Sequence, residues 1–127
     1  MIPFYLYLNS AFYLIFAAWC LIKPVETANS LGYSFLSNSG KVEYSAVYIG
    51  MELGFATFLA LCGLYPKIRL AGLLFCVCMY IGLIIIRTAS ALIYGNVSKI
   101  IYVIGGLEYI LGIWGIILLV GKLKELE

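Results

Sequence analysis

Four long apolar runs, parted by one long break opening at Lys23-Pro24 and two short ones at Tyr65-Pro66 and Gly95-Asn96, decide what this chain can become. A helix that crosses a bilayer needs about 20 predominantly apolar residues, and in lipid only a helix or a closed barrel satisfies its own backbone polar groups. The runs are continuous rather than alternating, which is the helical choice. The chain is expected to be an all-α membrane protein, an antiparallel four-transmembrane-helix bundle, with spans at about residues 3 to 22, 43 to 65, 69 to 94 and 98 to 120 of its 127. Its 65% hydrophobic and 11% charged content, with mean hydropathy +1.08, stands far from the roughly 45–50% apolar usage of soluble domains. A single integral membrane domain uses nearly all of it.

The connections order the spans. Those at 66 to 68 and 95 to 97 are tight, which makes the second, third and fourth spans antiparallel neighbours. The outer loop at 23 to 42 is the only long connection, and its Leu31, Tyr33, Phe35 and Leu36 form an apolar knot expected to fold back onto the helix ends. Basic residues favour cytoplasmic termini narrowly: Lys67, Arg69, Lys122 and Lys124 on one side against Lys23, Lys41 and Lys99 on the other. Tyr5, Tyr7, Trp19, Tyr44, Tyr65, Tyr94 and Tyr102 stand near span ends and are expected to form an interfacial belt. The first span has no basic leader, and Trp19 stands where a signal or lipoprotein cleavage site needs a small residue, so it reads as a retained helix.

Several chemistries are excluded by what the chain lacks. It has no histidine and four cysteines (Cys20, Cys62, Cys76, Cys78) without a C-x-x-C pair, so neither a metal site nor a thiol oxidoreductase is expected, and no cofactor. The net charge of +2 is scattered over span ends, with no basic tract for nucleic acid. No set of catalytic groups is complete.

Three charges inside the spans carry the functional signal. Counting helical rise, Glu52 lies about 14 Å, Arg87 about 10 Å and Glu108 about 15 Å from the outer ends of spans 2, 3 and 4. Isolated charges in hydrocarbon are costly, so the economical arrangement is one interior cluster in which Glu52 and Glu108 flank Arg87. Tyr48 stands one turn above Glu52, while Ser90 and Tyr94 follow Arg87 at i+3 and i+7 as the lining of an outer vestibule. Glu43 is placed at the start of span 2, where the helix dipole favours a carboxylate. Two carboxylates against one guanidinium leave an excess of one negative charge, to be met by a proton on one Glu, by a cation or by a ligand ammonium. Gly105, Gly112 and Gly115 share the Glu108 face and admit a close neighbour, and Ala46, Gly50 and Gly54 form a second small stripe almost opposite Glu52. Asn9 and Ser10 are expected to bond across helices.

The stretch EYSAVYIGMELG, with Glu43, Ala46, Tyr48, Gly50, Leu53 and Gly54, is similar to the E-x-R-A-x-Y-x-G-x-x-L-G pattern of a family of small four-span bacterial membrane proteins of uncharacterised function, distantly DoxX-like. GLIIIRTASALIYG and the Glu108 of GLEYILG extend the resemblance over nearly the whole chain. Ser45 replaces the pattern's Arg, and Tyr94 its Asp. The resemblance implies a bacterial inner membrane and a four-helix bundle, and supplies no reaction. Gly-Met-Glu at 50 to 52 recurs as Gly-Leu-Glu at 106 to 108, which hints at a duplicated hairpin.

Three functions compete at this stage. The first is binding or translocation of a small polar solute, a cation or protons at Glu52, Arg87 and Glu108, with Tyr48, Ser90, Tyr94 and Glu43 around them. The second is a structural subunit whose small stripes dock a second copy or another membrane protein. An intramembrane enzyme ranks last, for want of a nucleophile, metal or redox pair.

Overall fold

A computed structural model describes every residue of the chain as helix or short connection, with no strand. The helices are α1 (Ile2–Ile22), α2 (Pro24–Ser30), α3 (Asn38–Leu64), α4 (Pro66–Tyr94) and α5 (Lys99–Leu126). All but α2 are long and apolar enough to cross a membrane. Only 21 of 127 residues are buried, and side chains such as Ile15, Ile86, Ile110 and Ile117 lie more than half exposed, so the apolar character that a soluble domain hides covers the outside here.

Local chemistry explains the breaks. A residue before proline is pushed out of the helical region. Lys23 (φ −130°, ψ 65°) and Tyr65 (φ −99°, ψ 110°) accordingly end α1 and α3, and Pro24 and Pro66 begin the next helices at a position needing no N–H donor. The α4–α5 turn takes left-handed backbone at Gly95 (φ 62°) and Asn96 (φ 49°), two residue types that tolerate it. Ser37 caps α3 by accepting the Gly40 N–H at 3.3 Å, so this helix starts at Asn38, five residues earlier than the hydropathy places it. Glu43 consequently stands in the second turn of α3, exposed and without an ion pair, and is not the dipole-favoured first-turn carboxylate expected of it.

Two close pairs build the bundle, α1 with α3 and α4 with α5. Along the first, Tyr7 fills the space left by Gly63, the Ser10 hydroxyl donates to the Ala56 carbonyl at 2.6 Å, Tyr13 meets Phe55 edge-on and Phe16 meets Tyr48. Along the second, the expected glycine face of α5 receives a ridge of α4. An added Cβ would meet Arg87 at Gly105, Ile84 and Tyr80 at Gly112, and Val77 at Gly115. The pairs are joined by Phe55 and Phe58 of α3 packing on Phe75 of α4, and through α1: Tyr5 donates to the Leu111 carbonyl at 2.8 Å, and the buried Asn9 amide, itself donating to the Tyr5 carbonyl, accepts from the Tyr80 hydroxyl. Tyr5 and Tyr44 are thus buried hydrogen bonders and do not belong to an interfacial belt.

The apolar knot of the outer loop folds back as expected, except at Leu36, which is 97% exposed. Phe35 stands edge-on to Tyr44 at 5.2 Å, Tyr44 stacks on Tyr48 at 4.6 Å, and Tyr44 donates to the buried Thr27 of α2 at 2.7 Å. The loop is a cap over one end of the four long helices.

Candidate functional site

Beneath that cap the four long helices diverge around a chamber of about 390 Å³. Phe12, Tyr13 and Phe16 come from α1, Tyr48, Glu52 and Phe55 from α3, Met79, Tyr80, Leu83 and Arg87 from α4, and Ile104, Glu108 and Leu111 from α5. Leu31 and Tyr33 of the cap complete the wall. The three ionisable residues picked from the sequence are the only charged groups in it; every other lining residue is hydrophobic.

Their pairing is unequal. Arg87 donates from Nε to one Glu108 oxygen and from Nη2 to the other, both at 2.7 Å, a two-pronged fit that planar guanidinium and carboxylate groups favour. Glu108 is buried, and Gly105 lets the aliphatic part of Arg87 lie against the α5 backbone, with an added Cβ falling 3.4 Å from Arg87 Cδ. Glu52 is half-buried and makes neither an ion pair nor a side-chain hydrogen bond. The symmetric Glu–Arg–Glu arrangement expected of the sequence is thus a closed pair beside an open carboxylate. One guanidinium face fits one carboxylate fully, which leaves the second acid to the chamber. The Tyr13 hydroxyl, also in the wall, is buried and has no hydrogen-bond partner.

The Arg87–Glu108 pair is also a partition. Its other side borders a groove of about 310 Å³ between α4 and α5, lined by Thr88, Ala91, Leu92, Tyr102, Gly105 and Tyr109, where the Thr88 and Tyr109 hydroxyls bond at 2.7 Å.

Among the residues chosen from the sequence, Glu52, Arg87, Glu108 and Tyr48 meet at the chamber. Tyr48 bonds to Tyr33 of the cap through the two hydroxyls at 2.8 Å. Ser90 is half-buried and lines neither cavity, and Tyr94 is 81% exposed. Leu92, Ile93 and Tyr94 are all more than 75% exposed, and Ala91 and Leu92 border the groove toward α5, so the chamber does not extend to the last turn of α4. Sequence reasoning missed Tyr13, Tyr80 and the α1 wall. The signal was present as Tyr5, Asn9, Tyr13, Phe16 and Cys20, one polar or aromatic stripe at spacings of three and four.

Glu52 follows directly on a π-helical segment, Ala46–Met51, set between the α-helical stretches Asn38–Ser45 and Glu52–Leu64. Such segments insert an extra residue into a turn and recur at functional sites. No group of His, Cys, Asp and Glu in the fold is arranged to hold a metal ion. No protein-family model, curated protein or solved structure matches this chain.

Proposed function

We propose that the chain forms an antiparallel four-span bundle in a bacterial inner membrane, with both termini cytoplasmic, and that it binds or translocates a small polar solute, a cation or protons in the chamber beneath the cap. The resemblance to small four-span, distantly DoxX-like proteins belongs to the same proposal. The observation that carries it is the open carboxylate of Glu52, facing a chamber whose other two charges neutralise each other. A half-buried acid without a partner carries part of the cost of desolvating a charge, and in a membrane span it is a functional pointer by default. Arg87 and Glu108 then serve as a fixed wall, and Glu52 as the group that meets the solute.

The test measures binding and flux together. Purified protein is screened by thermal shift against inorganic cations, amines and polar metabolites, and proteoliposomes are assayed for proton and cation movement. A ligand or flux present in the wild type and lost in Glu52→Gln supports the proposal. Wild type without either, or a Glu52→Gln variant indistinguishable from it, refutes it.

A second reading, a structural subunit, is favoured by one observation: Ala46, Gly50 and Gly54 face outward, and an added Cβ at Gly54 would meet nothing within 4 Å. On this reading a membrane partner or second copy packs there, and neutral replacement of all three charged residues leaves its co-purification intact.

A further inference from the structure

Resting on that binding proposal, we infer that the chamber's ligand is an amphipathic organic monocation, an amine or quaternary ammonium carried on a compact apolar or aromatic body. Two features converge on this class.

The first is charge. The two bonds from Arg87 to Glu108 make that pair formally neutral, and Glu52 adds one uncompensated acid, so the wall as a whole is anionic. One positive charge on the ligand balances the site. The second is the shape and chemistry of the remaining wall. At about 390 Å³ the chamber lies in the range of about 300–1,000 Å³ typical of small-molecule pockets, far more room than a proton or a bare metal ion requires. It offers a sugar or amino acid few polar partners, because all but the three charged residues are hydrophobic. It does set Phe12, Phe16, Phe55 and Tyr48 in its wall, and aromatic rings attract ammonium groups through their quadrupoles. A neutral apolar ligand would leave Glu52 without a counter-charge.

The experiment uses the full chain in detergent with radiolabelled benzyltrimethylammonium as probe. The competitors are the unlabelled cation, its uncharged isostere neopentylbenzene and the anion benzylsulfonate. The expected result is saturable binding displaced by the cation and not by the other two. Glu52→Gln should weaken it about ten- to hundredfold, the loss that goes with a charged partner. Leu83→Trp, which fills the chamber, should abolish it, and Leu107→Trp serves if that variant does not fold. Competition by neopentylbenzene equal to that of the cation, with Glu52→Gln silent and the Trp variants still blocking, overturns the monocation class and leaves the chamber as a binding site. Absence of saturable binding, or binding indifferent to both Glu52→Gln and the Trp variants, overturns this inference, while the chamber reading beneath it stands or falls by the flux and thermal-shift test.

Discussion

Replacing one partner of the Arg87–Glu108 pair should cost far more than replacing both. Glu108 has a side chain only 9% exposed and Arg87 one that is 30% exposed, and their two 2.7 Å bonds leave each well satisfied by the other. Removing one partner from a buried pair costs about 3–5 kcal/mol, because the survivor is left as an uncompensated charge. Arg87→Met falls in that range, since it strands the deeper group. Glu108→Leu should cost less, about 2–3 kcal/mol, because Arg87 is the more open of the two and a second carboxylate, Glu52, borders the same chamber. The double variant exchanges the pair for apolar side chains and should lie within about 1–2 kcal/mol of wild type, a coupling of several kcal/mol between neighbours. Unfolding by SDS in mixed micelles measures this, read from Trp114, which packs edge-on to Tyr5 at 5.2 Å, in a Trp19→Phe background. A double variant that costs the sum of the two single changes would refute the reasoning.

Glycines on the two faces should respond with opposite signs. A Cβ at Gly115 falls 3.1 Å from Tyr5 Cζ and 3.2 Å from Val77 Cγ2, so Gly115→Ala should destabilise by about 1–3 kcal/mol, whereas Gly54→Ala meets nothing and should gain up to about 1 kcal/mol; the same micelle titration reads both. Asn9→Leu keeps a similar volume but strips the Tyr80 hydroxyl of its acceptor, and a loss of about 1–3 kcal/mol is expected, with Tyr80→Phe recovering part of it in the double variant.

The helices are legible from sequence because a span needs only length and apolarity, and proline or glycine marks three of its ends. Convergence of Glu52, Arg87 and Glu108 on one chamber follows from depth and cost alone. Which carboxylate takes the guanidinium does not follow, since both sit at about the same depth; the choice depends on Gly105 admitting Arg87 against α5, a contact between helices that periodicity cannot rank. Tyr5 and Tyr44 mislead for a related reason. Tyrosines near span ends are common interfacial anchors, and only the packed neighbours, the Leu111 carbonyl and Thr27, mark these two as interior. Ser90 and Tyr94 stay outside the chamber because counting at i+3 and i+7 keeps one face of α4 and does not say how far along the helix the chamber reaches.

The π-helical segment at Ala46–Met51 gives α3 one residue more than a regular helix would need over the same path. Each residue of an α-helix advances the chain about 1.5 Å and turns it about 100°. A single deletion here would therefore return α3 to a regular helix with both flanks in register, and the residue displaced would be Tyr48, inside the segment, whose hydroxyl bonds Tyr33 of the lid. Insertion and retrieval of that one residue is an evolutionary dial: a lineage could detach the roof from the compartment below while keeping every span, and homologues of different length at this point should differ in how their outer loop sits.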